Sequence, residues 1–287
     1  MFPANAGNAP RGNPLNLIRV MPAEGEEMRS PEPSTSTQLA QSAAEFMEQL
    51  RARSPRVHCV TNTVAQNFTA NVLLAACCIP SMTSSAEEIG SFVAGSNALL
   101  VNLGTLDPER RQATDIAVAT AAARGLPWVL DPVFVDRSAE RGDFARRLLA
   151  GRPSVVRLNQ AEFAALAGAA VDRTSAAEFA RAHDCVVAIS GKADLVSDGA
   201  RVMQIANGHA FMSQVTAMGC AGSALVAACL AVADDAFTTS VVALLLLGVA
   251  GEVAAERAKG PGTFAANILD AIYALDGSTL VARARIT

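Results

Sequence analysis

The sequence predicts an α/β fold, with a central, mostly parallel sheet and helices on both faces. Three observations carry this. From Gln38 onward, short β-rich runs alternate with helical patterns. Of the 287 residues, 51% are hydrophobic, enough for a large buried core. Polar residues gather at the carboxyl ends of successive strands, where such folds place their ligands.

Residues 1–37 stand apart. They are rich in Pro, Gly, Asn and Ser, lack a periodic apolar pattern, and read as a disordered tail. No continuous apolar core marks a secretion signal, and Glu24, Glu26, Glu27 and Glu32 argue against a mitochondrial transit peptide. Residues 38–287 read as a single domain. Strands are predicted at 57–60, 98–103, 128–133, 154–159 and 185–191, with a hairpin from "DLVSDG" and "RVMQIANG". Helices are predicted at 64–77, 108–124, 161–168 and 175–183, then three more at about 220–233, 237–258 and 262–275.

Composition excludes several function classes. The net charge is −4 with no basic stripe, which argues against nucleic acid. The six cysteines include no C-x-x-C pair, so neither a metal cluster nor a disulfide framework is expected, and a reducing cytoplasm fits. The apolar runs 220–233 and 241–250 fall short of the roughly 20 residues that span a bilayer, so they read as core helices and no membrane is expected.

The candidate site follows from the strand ends: Thr61 and Asn62, "NLGT" at 102–105, Asp131, Asn159 with Glu162, Ser190 with Gly191, and Thr216 to Cys220 after a further extended stretch. Each can serve merely as a cap or turn residue. A helix opening on small residues also presents N–H groups and a positive dipole end to an anion, so Ala217, Met218, Gly219 and Cys220 suit a phosphate. Tight helix–sheet packing asks for the same small residues. Cys220 stands where a phosphoryl group and a hydroxyl can meet, and a thiol at a helix N-terminus is expected to have a lowered pKa. Asp131 and Glu162 suit Mg²⁺, directly or through water. Their plainer alternatives are a turn cap before Pro132 and an exposed first-turn acid. Arg157 and Ser190 suit nucleotide phosphates.

The blocks "VHCVTNTVAQNFTANVLLA", "PSMTSSAEEI", "VNLGTLD", "VLDPV", "VRLNQAEFAALAG" and "NGHAFMSQVTAMGC" resemble hydroxyethylthiazole kinases, in order, from about residue 38 to the end. The resemblance implies a ribokinase-like three-layer sandwich. It also implies Mg²⁺- and ATP-dependent phosphorylation of 4-methyl-5-(2-hydroxyethyl)thiazole in thiamine salvage, and a homotrimer with active sites between subunits. By position it implies Asn62, Val64 and Met82 in the thiazole pocket, Ala217 at a substrate-contact position and Cys220 as the catalytic residue. Arg157 and Ser190, with Gly219 beside them, match nucleotide contacts, and Asp131 and Glu162 the metal-associated acids.

Some positions depart from the family pattern. Ala217 replaces a glycine, Met218 is bulky for its place, and Phe134 and Asp136 stand where glycines follow "DPV". These departures bear on the phosphate site and turnover. They keep open a relative that binds without turnover. A third reading keeps the fold but changes the reaction, as in nicotinamide-hydrate dehydratases, although "TNTVAQNFTAN" is a thiazole-kinase feature.

Overall fold

A computed structural model describes residues 35–287. The expected disordered tail therefore lies outside the described residues, except where helix α1 (Thr35–Arg53) begins. The reading above places no helix here. Leu39, Ala43, Phe46, Met47 and Leu50 recur every three or four residues, which puts them on one face, and all are buried.

Eight strands form one sheet: β1 (Arg56–Val60), β2 (Ile79–Ser81), β3 (Ala98–Asn102), β4 (Trp128–Asp131), β5 (Val155–Asn159), β6 (Val186–Ser190), β7 (Asp194–Ser197) and β8 (Val202–Ile205), in the order β2-β1-β3-β4-β5-β6-β7-β8. Strands β1 to β6 run parallel. The predicted hairpin, β7 with β8, completes the sheet antiparallel. The order reverses at β1, whose neighbours are β2 and β3. That reversal opens a crevice at the carboxyl ends of the strands.

The remaining helices are α2 (Gln66–Ala75), α3 (Ile89–Ala94), α4 (Pro108–Arg124), α5 (Ala139–Leu149), α6 (Gln160–Ala167), α7 (Arg173–His183), α8 (Met218–Leu230), α9 (Ala236–Arg257), α10 (Pro261–Ala274) and α11 (Gly277–Arg283). Successive strand residues point to opposite faces. On one face Val57, Leu100, Val129 and Val155 pack with α1, α2, α8, α9 and α10. On the other, Leu99, Val101, Leu130 and Val156 pack with α3, α4, α5 and α7. This is the three-layer sandwich expected. Helix α9, at 22 residues, is long and apolar enough to cross a membrane by composition alone, but it is mostly buried inside the protein.

The structure corrects one expected element. The chain before Thr216 is not a strand end. Residues Ala210–Gln214 form a 3₁₀ turn, capped by the His209 ring accepting from Phe211 N–H. At the far edge of the sheet, the chain's last residues pair with β8. Gln204 and Thr287 exchange backbone hydrogen bonds at 2.7 and 3.0 Å, and Ile286 lies opposite Ile205.

Candidate active site

The site is built where β3 and β4 end in register, with Asn102 beside Asp131. Asp131 Oδ2 accepts from Asn102 Nδ2 at 2.7 Å and from Ser223 Oγ of α8 at 2.8 Å. Its side chain thus belongs to a buried network and does not cap the turn before Pro132. Burial pushes its pKa up, opposed by the positive charge of Arg157 and by these two hydrogen bonds.

Asn102 is the junction. Its Oδ1 accepts from Gly104 N–H at 3.0 Å and from Asn62 Nδ2 at 3.3 Å. A Cβ at Gly104 would lie 2.5 Å from the Asn62 Cβ, so the glycine of "NLGT" is what lets Asn62 approach. Asn62 is fixed in turn, its Oδ1 accepting from Ala65 N–H at 2.9 Å. Both amides reach the thiol: Cys220 Sγ lies 3.3 Å from Asn102 Nδ2 and 3.4 Å from Asn62 Nδ2.

Helix α8 carries this thiol in its first turn. Its N-cap is Ala217, held left-handed at φ 68°, ψ 0° with no side-chain cap. Met218 turns its side chain into the core, and its N–H donates to Val215 O at 3.4 Å, so it does not serve the anion site as expected. The bulk of Met218 is thereby accommodated away from the cleft. Gly219 and Cys220, in the first turn where N–H groups have no intrahelical partner, remain to face a ligand.

Arg157, buried on β5, donates from Nη1 to Gly219 O at 2.8 Å. Its Nε has no partner in the protein. A buried guanidinium with an unused N–H beside a helix N-terminus suits an anionic ligand. Glu162 is not an exposed first-turn acid. It is buried and closes a capping box with Asn159: Asn159 N–H donates to Oε2 and Glu162 N–H to Asn159 Oδ1, each at 2.9 Å. Its Oε1 accepts from Phe134 N–H at 3.0 Å. Burial raises its pKa, opposed by those backbone hydrogen bonds. Phe134 is left-handed at φ 61° and 57% exposed. Asp136 is paired with Arg137 at 2.8 Å. Ser190 ends β6, its hydroxyl donating to Leu158 O at 3.3 Å.

A cleft of about 220 Å³ collects Asp131, Phe134, Arg157, Glu162, Ser190, Ala217, Gly219 and Cys220 in its lining. Asn62 meets it through Cys220. Val64, 68% exposed, and Met82, half-buried, lie outside that lining. The sequence pattern marks Asn102 only as part of a strand end and does not mark Ser223. Each carried a signal: Asn102 is the first polar residue after "ALLV", and Ser223 sits three residues past Cys220 on the same helix face.

The expected lowering of the Cys220 pKa is overturned. Burial pushes the thiol up to about 11, the Asp131 charge adds to this, and the two asparagine amides and Arg157 only partly oppose it. Among the described residues no cluster of three or more His, Cys, Asp or Glu side chains can hold a metal. Asp131 and Glu162, both already accepting hydrogen bonds, suit a divalent cation that keeps most of its water and phosphate ligands.

Comparison with known proteins bears on this site. The model of the hydroxyethylthiazole kinase family matches residues 47–278. A probable hydroxyethylthiazole kinase of Agrobacterium fabrum is 45% identical over 244 residues, covering 85% of this chain and 94% of its own. The solved structure of a hydroxyethylthiazole kinase protein from Pyrococcus horikoshii superposes with a TM-score of 0.82 at 33% identity, covering 86% of this chain and 98% of its own. A ribokinase-like superfamily protein of Enterococcus faecalis shares the fold, with a TM-score of 0.61 at 11% identity, covering 85% of this chain and 98% of its own.

Proposed function

The chain belongs to the hydroxyethylthiazole kinase family, and from that premise we propose that it transfers the γ-phosphoryl group of ATP to the primary hydroxyl of 4-methyl-5-(2-hydroxyethyl)thiazole. The single observation that carries the reading is the cleft in which Cys220, the first turn of α8, Arg157 and two buried acids meet.

Phosphoryl transfer asks mainly for positioning and charge stabilisation. The N–H groups of Gly219 and Cys220 and the Arg157 guanidinium receive the phosphates, with Ser190 on the nucleotide side. The substrate oxygen attacks the γ-phosphorus while the bond to ADP breaks. Cys220, held as a neutral thiol, orients that hydroxyl. In a loose transition state the hydroxyl keeps its proton until bond formation is well advanced and then passes it to an oxygen of the transferred phosphoryl group or to water, so a strong base is not required. Asp131 and Glu162 would hold Mg²⁺, which when bound would supply charge neutralisation to the phosphates.

The active unit is a homotrimer whose neighbours complete each site. The exposure of Val64, and the fact that neither Val64 nor Met82 is among the residues lining the cleft, support this. Six free thiols support a reducing compartment such as the cytoplasm. The left-handed Ala217 and Phe134 favour a second reading, a relative that binds without turnover. Purified protein with Mg-ATP and a panel of thiazole and pyrimidine alcohols decides between them. ADP release dependent on the thiazole alcohol supports the kinase. Calorimetric binding without ADP release supports the second reading.

A further inference from the structure

The mechanism leaves a buried histidine unused. His58, in the middle of β1, is fully buried, and its ring lies 5.8 Å from that of Phe92. Both ring nitrogens are engaged by residues flanking Met82. Nδ1 is 2.8 Å from Ser81 Oγ, and Nε2 is 3.0 Å from Thr83 O. A carbonyl can only accept, so Nε2 carries the proton and Nδ1 accepts from the serine hydroxyl. Burial lowers the His58 pKa, which favours this neutral ring.

The backbone ladder between β1 and β2 ends at the His58–Ser81 pair. Beyond it the chain folds back far enough for the Thr83 carbonyl to reach the imidazole. The Thr83 hydroxyl then bonds Glu88, just before α3. We propose that His58 is a positioning residue for thiazole recognition: it clamps the segment 81–83 from both sides, and so fixes where Met82 meets the acceptor alcohol. The proposal rests on the reading of Met82 as a thiazole contact.

Steady-state kinetics on the full-length protein test it with His58→Phe, His58→Gln, Ser81→Ala and Met82→Ala. His58→Phe keeps a ring and removes both hydrogen bonds. It is expected to raise KM for the thiazole alcohol about tenfold, the scale of a lost buried hydrogen bond, with KM for ATP and kcat little changed. The amide of His58→Gln can still donate to Thr83 O, so it should recover much of the loss. Ser81→Ala should raise the same KM by a smaller factor, and it keeps the test alive if His58→Phe fails to fold. Equal shifts in both KM values, or a lowered Tm with normal KM, would reduce His58 to a structural role and overturn the proposal. A normal KM in Met82→Ala would overturn the reading beneath it, and the proposal with it. A raised KM there, with normal values in the His58 and Ser81 variants, would overturn the proposal alone.

Discussion

Asn102 Nδ2 lies 2.7 Å from Asp131 Oδ2, and the same amide nitrogen lies 3.3 Å from Cys220 Sγ. One side chain therefore sets the position of both the buried acid and the thiol. Asn102→Ala removes a donor from each. It should lower kcat by about 10- to 100-fold, the equivalent of roughly 1–3 kcal/mol. Steady-state ADP release measures this, and a kcat within twofold of the parent would remove Asn102 from the site.

The two acids should separate in stability. A carboxylate whose folded pKa lies above its unfolded value destabilises the fold at any pH above the unfolded value, because folding must then either take up a proton or, above the folded pKa, bury the charge. Asp131 is such a group, and an asparagine oxygen can still accept from Asn102 and Ser223. Asp131→Asn should thus leave Tm at pH 7 unchanged or higher while lowering kcat about 100-fold or more. Glu162→Gln also removes a carboxyl whose pKa is raised by burial, yet it should lose about 1 kcal/mol of stability, because one amide oxygen cannot accept from both the Asn159 N–H and the Phe134 N–H. Thermal melts beside kinetics check both. A strongly destabilised Asp131→Asn would contradict the account.

Cys220 should label slowly. With the thiol pushed up to about 11, the thiolate is scarce at neutral pH, and only the thiolate alkylates. Mass-spectrometric rates with iodoacetamide should climb about tenfold per pH unit through pH 7–9. A plateau at or below pH 8 would show a lowered pKa instead. In the same kinetic assay Cys220→Ala should lose turnover. Cys220→Asp should match or exceed the parent, because a carboxylate can both accept the proton and take the two asparagine amides.

The sheet was legible because its strands are runs of Val, Leu and Ile bounded by turns. Helix α5 was not: "AERGDFARRLL" is so charged that Phe144 and Leu148 hardly register as an apolar face, though both are buried. Strand β2 has only Ile79–Ser81, too short for a period-2 signal. At the site, residue types pointed to most residues that line the cleft, but not to their partners. That Glu162 closes a capping box was readable from its spacing to Asn159. That Asn102 bridges Asp131 and Cys220 depends on strand register and on where α8 crosses the sheet, and neither is encoded locally. The raised thiol pKa is hidden for a related reason: a helix N-terminus is visible in sequence, whereas the burial that pushes the thiol up is tertiary.

Ala217 carries backbone strain at the mouth of the cleft, with φ at 68°. A non-glycine residue in that region costs roughly 1 kcal/mol or more. Ala217→Gly should release it and raise kcat/KM several-fold, since about 1.4 kcal/mol is a factor of ten. Kinetics at saturating Mg-ATP test this, and a kcat/KM at or below the parent would sink it.

Light scattering should report about three copies of the 29.6 kDa chain. Val64→Glu, at a site 68% exposed in the single chain, should leave the fold intact yet split the assembly or raise KM for the alcohol. A fully active monomer would contradict a shared site.

The pairing of residues 285–287 with β8 reaches beyond the fold itself. Those residues occupy the hydrogen-bonding edge that β8 would otherwise offer to a strand from another molecule. Thr287→Pro, which removes the N–H bonded to Gln204 O, would loosen that cover and invite sheet-to-sheet aggregation at high concentration.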